Sequence, residues 1–267
     1  MKDIKKYTRS NRDSWNQALS RHQVATNDRW DASFAKPGFT ALTDTELMLL
    51  TKMDLRGKNI AHPACNNGVE LISLKSLGAG KCIGFDISDT AIEDATKRAE
   101  KLGVDCKFLR TDVYDIPEIY QGTFDLIYIS IGCFGWMPDL DLFFQKMSLL
   151  LKDTGKVFIY ELHPFADMLS TDDNENADPL KIIDPYFKNE PYEQNFGIYY
   201  IGKDHYESKP NYWFVWKVSD IIMGLVKNNL CIEFFKEYKE DISASHKKNQ
   251  DAGVDIPLSY IMIANKS

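Results

Sequence analysis

The 267 residues contain no C-x-x-C pair, and the five cysteines (Cys65, Cys82, Cys106, Cys133, Cys231) are scattered and odd in number. That pattern excludes a disulfide framework and a zinc site and points to a reducing compartment. No stretch reaches the roughly 18 uninterrupted apolar residues of a membrane span. The start, MKDIKKYTRSNRDSW, has no apolar leader core. Positive charge is also scarce: 32 Lys and Arg against 39 Asp and Glu give a formal net charge of −7. No basic cluster interleaves with aromatics, so a nucleic-acid partner is not expected. The expectation is a cytoplasmic protein with neither nucleic-acid nor membrane partners. Its oligomeric state is not legible from the sequence.

A G-x-G-x-x-G loop is missing too, yet the chain keeps the surroundings of one. Residues 59–86 read NIAHPACNNGVELISLKSLGAGKCIGFD: an apolar start, a polar turn, a helical pattern, then a short strand ending on a carboxylate. Strand–loop–helix–strand units of this kind hold adenosine-containing cofactors. From residue 58 onward, strand patterns near 59–62, 81–86, 105–109, 124–130 and 155–161 alternate with helical ones at 68–77, 88–102, around Glu118, and 139–151. Such alternation predicts a parallel sheet covered on both faces, with ligands at the strand C-termini.

Ahead of this core, residues 8–22 predict a helix with Trp15, Ala18 and Leu19 on one face. Thr43 or Asp44 is placed to cap a second one. Between Pro164 and Trp216 the alternation stops, and Pro179, Pro185, Pro191 and Pro210 and a dense set of aromatics take over. A structureless run of that length is unusual in a compact domain. It reads as an inserted lid, with 198–201 and 212–216 as a candidate hairpin. A helix at 219–227 and strands at 231–238 and 258–264 close the chain, the last two as antiparallel neighbours. The expected organisation is a helical cap (1–54), a core (55–163 and 217–267) and an aromatic-rich lid (164–216).

Cofactor chemistry needs a first turn free of bulky side chains and able to reach positive φ. Here that turn offers His62, Ala64, Cys65, Asn66 and Gly68, and an ordinary strand–helix loop is the plain alternative. Asp86 suits ribose hydroxyls or a helix cap. Asp112 and Val113, in FLRTDVYDIP, suit adenine or only a turn.

Together these stretches carry a resemblance. GKNIAHPACNNGVELISL, GFDIS, RTDVYDIP and FDLIYISIG…LLLKDTGKVFIYE resemble motifs of class I S-adenosylmethionine-dependent methyltransferases. The first loop is most similar to a bacterial small-molecule subgroup with H-x-x-C-x-x-G. The resemblance implies a Rossmann-like α/β fold with a seven-stranded sheet, mostly parallel with the last strand antiparallel. It implies S-adenosyl-L-methionine as cofactor, S-adenosyl-L-homocysteine as product, and methyl transfer to a small molecule by in-line displacement. It places Ala64, Cys65, Asn66 and Gly68 on the methionine side, Asp86 and Ile87 at ribose and adenine, Asp112 and Val113 at adenine, and Ser130 and Ile131 beneath. His62 stands where the family carries an acid.

On the acceptor side, SIGCFGWMPD (130–139) and ELHPF (161–165) follow strand ends. His163 is the candidate base or orienting group, against an ordinary loop histidine. Trp136, Tyr200 and Trp213 are a candidate aromatic wall, against simple lid packing. Glu161 sits near the site or in an ion pair. Trp15, with Arg12 and Trp30, could close over the cofactor or bury a helix face. Asp139 and Asp141 suit a helix N-terminus better than a metal. Two other classes remain: a non-catalytic cofactor-binding relative and a nicotinamide-dependent dehydrogenase, the latter expecting a parallel sheet end.

Overall fold

A computed structural model of the chain describes residues 3–172, 176, 178–198 and 206–267. Helix α1 (Ile4–Phe34) is capped by the Asp3 carboxylate accepting the Lys6 N–H. Helix α2 (Asp44–Lys52) begins in a capping box, with Thr43 Oγ1 accepting the Glu46 N–H and the Glu46 carboxylate accepting the Thr43 N–H. The core then runs β1 (Ile60–Pro63), α3 (Val69–Ser76), β2 (Cys82–Asp86), α4 (Asp89–Leu102), β3 (Cys106–Arg110), β4 (Phe124–Ile129), α5 (Leu140–Leu150) and β5 (Leu151–Leu162). A separate hairpin, β6 (Tyr192–Phe196) and β7 (Glu207–Trp213), precedes α6 (Val218–Lys227), β8 (Leu230–Tyr238) and β9 (Ser259–Lys266).

The seven-stranded sheet has the order β3-β2-β1-β4-β5-β9-β8. Strands β1 to β5 pair in parallel, and β9 runs antiparallel to both β5 and β8. Central strands β1 and β2 are buried at every position, as parallel strands covered on both faces must be. Successive β4 residues enter opposite cores. Leu126 and Tyr128 pack with Leu50, Leu71 and Phe158, whereas Ile127 and Ile129 pack with Phe143, Phe144 and Leu225. The order reverses between β1 and β4, and this switch point opens the crevice in which such folds bind ligands.

Two expectations need correction. Helix α1 spans Ile4–Phe34 rather than 8–22. Its apolar periodicity fades after His22, but tertiary contacts carry it on: Trp30 and Phe34 pack with Phe39, and Asp31 pairs with Lys101. The lid hairpin uses 192–196 against 207–213, with Tyr192 opposite Trp213, so its first strand precedes the expected 198–201. Residues 199–201, including Tyr200, lie outside the described residues.

The helix and the hairpin are tied together. Asn11 Nδ2 donates to Tyr212 O (3.1 Å), Tyr212 N–H donates to Asn11 Oδ1 (2.7 Å), and Lys209 N–H donates to Gln17 Oε1 (3.0 Å). A side-chain amide that both donates to and accepts from one backbone residue mimics a strand partner, so α1 extends the hairpin's polar pairing. No helix among the described residues is long and apolar enough to cross a membrane.

Candidate active site

A cavity of about 1300 Å³ lies over the C-terminal ends of the parallel strands, roofed by α1 and the hairpin. Its first wall is the turn after β1. Ala64 and Asn66 hold φ of 52° and 47°, and Gly68 holds 75°. Asparagine tolerates this region, whereas alanine is strained there by about 1–2 kcal/mol. The turn is pinned by Cys65 N–H donating to Phe85 O (3.1 Å) and Gly68 N–H donating to Cys65 O (3.0 Å). Ala64, Asn66 and Asn67 line the cavity.

Cys65 and Gly68, expected at the methionine side, do not line the cavity. Cys65 is fully buried, with its thiol pushed well up by burial. A Cβ on Gly68 would stand 2.6 Å from the Phe108 ring, so glycine there lets α3 pack on β3. His62 is a third correction. It is fully buried behind the turn, its Nε2 3.0 Å from Ser130 Oγ and its ring edge-on to Tyr128. Burial lowers its pKa to about 3, so it is neutral and acts through Ser130. Its Nδ1 has no hydrogen-bond partner among the described residues.

Asp86 ends β2 facing the cavity, and each carboxylate oxygen accepts one backbone N–H: Oδ2 from Asn66 and Oδ1 from Ser88, both at 2.8 Å. The carboxylate thereby couples the first turn to the start of α4. Burial raises its pKa, against the opposing pull of these N–H groups. Asp112 Oδ1 accepts the Tyr114 N–H (3.1 Å), and Oδ2 pairs with Lys5 Nζ (3.0 Å). Turn-capping and facing the cavity are therefore combined in both residues. Ile87, Val113, Ser130 and Ile131 complete this half.

The loop after β4 is held by Glu161. Oε2 accepts N–H groups of Gly132 and Leu162 (both 2.8 Å), and Oε1 accepts that of Phe134 (3.0 Å). Burial nonetheless raises this carboxyl to about 7. The loop presents Trp136, which meets Trp213 edge-on at 5.0 Å and Trp15 at 5.3 Å. All three indoles line the cavity, as does Trp30. Gly135 makes the junction: a Cβ there would lie 2.4 Å from the Trp213 ring, and its carbonyl accepts the Phe214 N–H at 2.7 Å. Arg12 instead pairs with Asp89, outside the cavity wall.

His163 does not line the cavity, which corrects its assignment as base. Its Nδ1 accepts the Phe165 N–H (3.1 Å), its Nε2 lies 3.1 Å from the Glu237 carboxylate but off the hydrogen-bond line, and its ring packs on Tyr260. Asp139 caps α5 by accepting the Leu142 N–H, and Asp141 pairs with Lys227. No group of three metal-ligating side chains occurs among the described residues.

Among the cavity residues that escaped the sequence reading are Glu70, Asp167, Asp184 and His246. Glu70 and Asp167 are half-buried at the cavity wall, and burial raises each to about 7. His246 sits in the loop between β8 and β9. That loop reads as polar filler, with no local pattern that marks a site.

A family model described as a methyltransferase domain matches residues 55–208. A ribosomal protein L11 methyltransferase from Neisseria gonorrhoeae is 30% identical over 119 residues, covering 44% of this chain and 38% of that protein. The chain thus spans well under half the length of such curated relatives. Among solved structures, a protein from Listeria monocytogenes assigned to the S-adenosylmethionine dependent methyltransferases matches with a TM-score of 0.61 at 20% identity, over 83% of this chain and 98% of that one. An S-adenosylmethionine-dependent methyltransferase from Clostridium acetobutylicum matches with a TM-score of 0.58 at 15% identity, over 84% and 90%. With the antiparallel β9, which a dehydrogenase sheet lacks, these matches agree on one assignment: the chain belongs to the methyltransferase-domain family and has the class I S-adenosylmethionine-dependent methyltransferase fold.

Proposed function

We propose that the protein transfers a methyl group from S-adenosylmethionine to a small-molecule acceptor. The observation that carries this reading is the pairing of Asp86 with the left-handed Ala64–Asn66 turn on one cavity wall. Each Asp86 oxygen has spent one lone pair on a backbone N–H and keeps capacity for a ribose hydroxyl. Ile87 and Val113 offer an apolar slot for adenine, with Asp112 at its rim. Thr8 Oγ1 is buried at the cavity wall with no hydrogen-bond partner among the described residues, a group that a bound ligand would satisfy. The residues present therefore fit this cofactor.

When bound, the cofactor supplies an electrophilic methyl on a sulfonium. The chain's own residues bind and orient. Ser130, buttressed by the neutral His62, and the Glu161-clamped loop fix the floor beneath the reacting groups. The three indoles and the hairpin cover the acceptor and exclude water. The roof favours a small acceptor, since α1 and the hairpin line the cavity over the strand ends and leave a recess there. The test is calorimetric titration with S-adenosylhomocysteine. Micromolar binding is expected, weakened about 10- to 100-fold in Asp86→Ala as charge-assisted hydrogen bonds are lost. Unchanged affinity in that variant, at unchanged melting temperature, would sink the reading.

A further inference from the structure

The charge of the cavity wall is one-sided. Glu70, Asp86, Asp94, Asp112, Asp167 and Asp184 line it, and among the described residues no lysine or arginine does. In the cofactor half Asp86 takes backbone N–H groups, Asp94 pairs with Arg98 and Asp112 with Lys5, while Glu70 has its own backbone N–H and the charge of Arg98 nearby. At the opposite end, under the hairpin, the pattern changes. Asp184 Oδ1 accepts the Tyr192 hydroxyl at 2.6 Å, while the Asp167 carboxylate takes no hydrogen bond or ion pair from any described residue. Glu161 lies close enough to repel it. Like charges left together in a recess are costly, and a bound cation relieves them.

A second observation is independent of these acids. His246 is only 3% exposed, yet its ring faces the cavity. Asn249 is fully buried, and its amide nitrogen donates to the carbonyls of Ser170 (3.3 Å) and Pro179 (2.5 Å). Its Oδ1 must therefore be the atom 3.0 Å from His246 Nδ1, so Nδ1 carries the proton. Nε2 then keeps its lone pair, and among the described residues nothing hydrogen-bonds to it. Burial holds the ring neutral, against the nearby Asp241 and Asp172. An oriented, unprotonated imidazole nitrogen with no structural task, at the acidic end of a cavity, is a proton acceptor awaiting a donor.

We infer that the acceptor is a protonatable amine, its ammonium form drawn to Asp167 and Asp184 beside the tryptophan wall, and that His246 Nε2 receives the proton freeing its nitrogen. This rests on the function proposed above. The balance is direct: the amine loses one proton to Nε2, its lone pair forms the new N–C bond, the S–C bond breaks, and its electron pair neutralises the sulfonium. The imidazolium returns the proton to solvent. Anionic acceptors such as carboxylates and phosphates are disfavoured, since the described wall offers them no cation. Asn249 is a positioning residue.

The test uses the whole chain loaded with S-adenosylhomocysteine, titrated with tryptamine, phenethylamine and histamine and with the matched anions indole-3-acetate and phenylacetate. Saturable binding of at least one amine is expected, with the anions at least tenfold weaker. Asp167→Asn should weaken amine binding tenfold or more while leaving S-adenosylhomocysteine affinity unchanged. Amine binding should strengthen from pH 6 to 8 as Asp167 ionises among Glu161, Asp184, Tyr192 and Tyr260. His246→Ala should lower kcat for the bound amine and shift its pH profile to the alkaline side, and Asn249→Ala should give a smaller shift of the same sign. Binding of the anions as tight as the amines, or no amine binding at all, overturns the inference while normal S-adenosylhomocysteine binding leaves the methyltransferase reading standing. Failure of S-adenosylhomocysteine to bind overturns that reading instead.

Discussion

Replacing Glu161 with glutamine separates the charge of the β4-loop clamp from its shape. The buried carboxylate accepts three backbone N–H groups, which hold Gly132 and Phe134 in place in the loop after β4. Burial raises its pKa from 4.5 to about 7, so the folded state binds this proton more tightly than the unfolded chain. The sign follows. The stability contribution is fully present below about pH 4.5 and is lost as pH rises through about 7. The full difference is about 3 kcal/mol, of which about 2–3 kcal/mol falls between pH 5 and 8. Glutamine mimics the neutral form and does not titrate, though an N–H facing its amide nitrogen could cost about 1–3 kcal/mol at every pH. Urea unfolding of both proteins at pH 5 and pH 8 should therefore show the gap between them shifting in favour of Glu161→Gln by about 2–3 kcal/mol. Glu70 titrates in both proteins and cancels, whereas loss of the Glu161 charge also relieves Asp167 of a repelling neighbour, which moves the gap in the same direction. A gap constant to within about 0.5 kcal/mol would refute the reasoning.

Three further outcomes follow from the geometry. Gly135→Ala drives a methyl group into the Trp213 ring and should cost about 1–3 kcal/mol of lid docking, read as an acceptor KM raised several-fold with S-adenosylhomocysteine affinity nearly unchanged. Ala64→Gly removes left-handed strain and should hold or raise thermal stability, by up to about 1 kcal/mol, whereas Ala64→Val should lower it; the reverse order in calorimetric melting would count against the turn. His163→Gln should reduce stability yet leave kcat within about threefold, because its ring is held away from the cavity; a loss of several orders of magnitude would restore it as a base.

The sheet was legible because its signals are local. Apolar runs and a terminal Asp86 lie within a few residues of one another, and parallel pairing leaves little freedom in how they assemble. Ala64 and Asn66 were readable at the first turn because positive φ restricts side-chain choice. Gly68, Cys65 and His62 were misplaced for a common reason: motif position says which loop a residue belongs to, not which way its side chain points. His62 turns inward to Ser130, and Gly68 turns its bare face to Phe108. His163 was misread likewise, since it shares a strand end with the site but is captured by Phe165 and the Glu237 side. His246 and Asp167 were invisible because their significance is tertiary. An asparagine three residues beyond the histidine, and a carboxylate 79 residues before it, converge only when the loop after β8 folds beside the segment after β5.

The most direct test is a crystal structure of the protein with S-adenosylhomocysteine. The account predicts ribose hydroxyls on the Asp86 carboxylate, adenine between Ile87 and Val113, and the sulfur turned toward Ile131 and the tryptophan wall. A ligand lying elsewhere in the cavity, with Asp86 bonded only to Asn66 and Ser88, would contradict it.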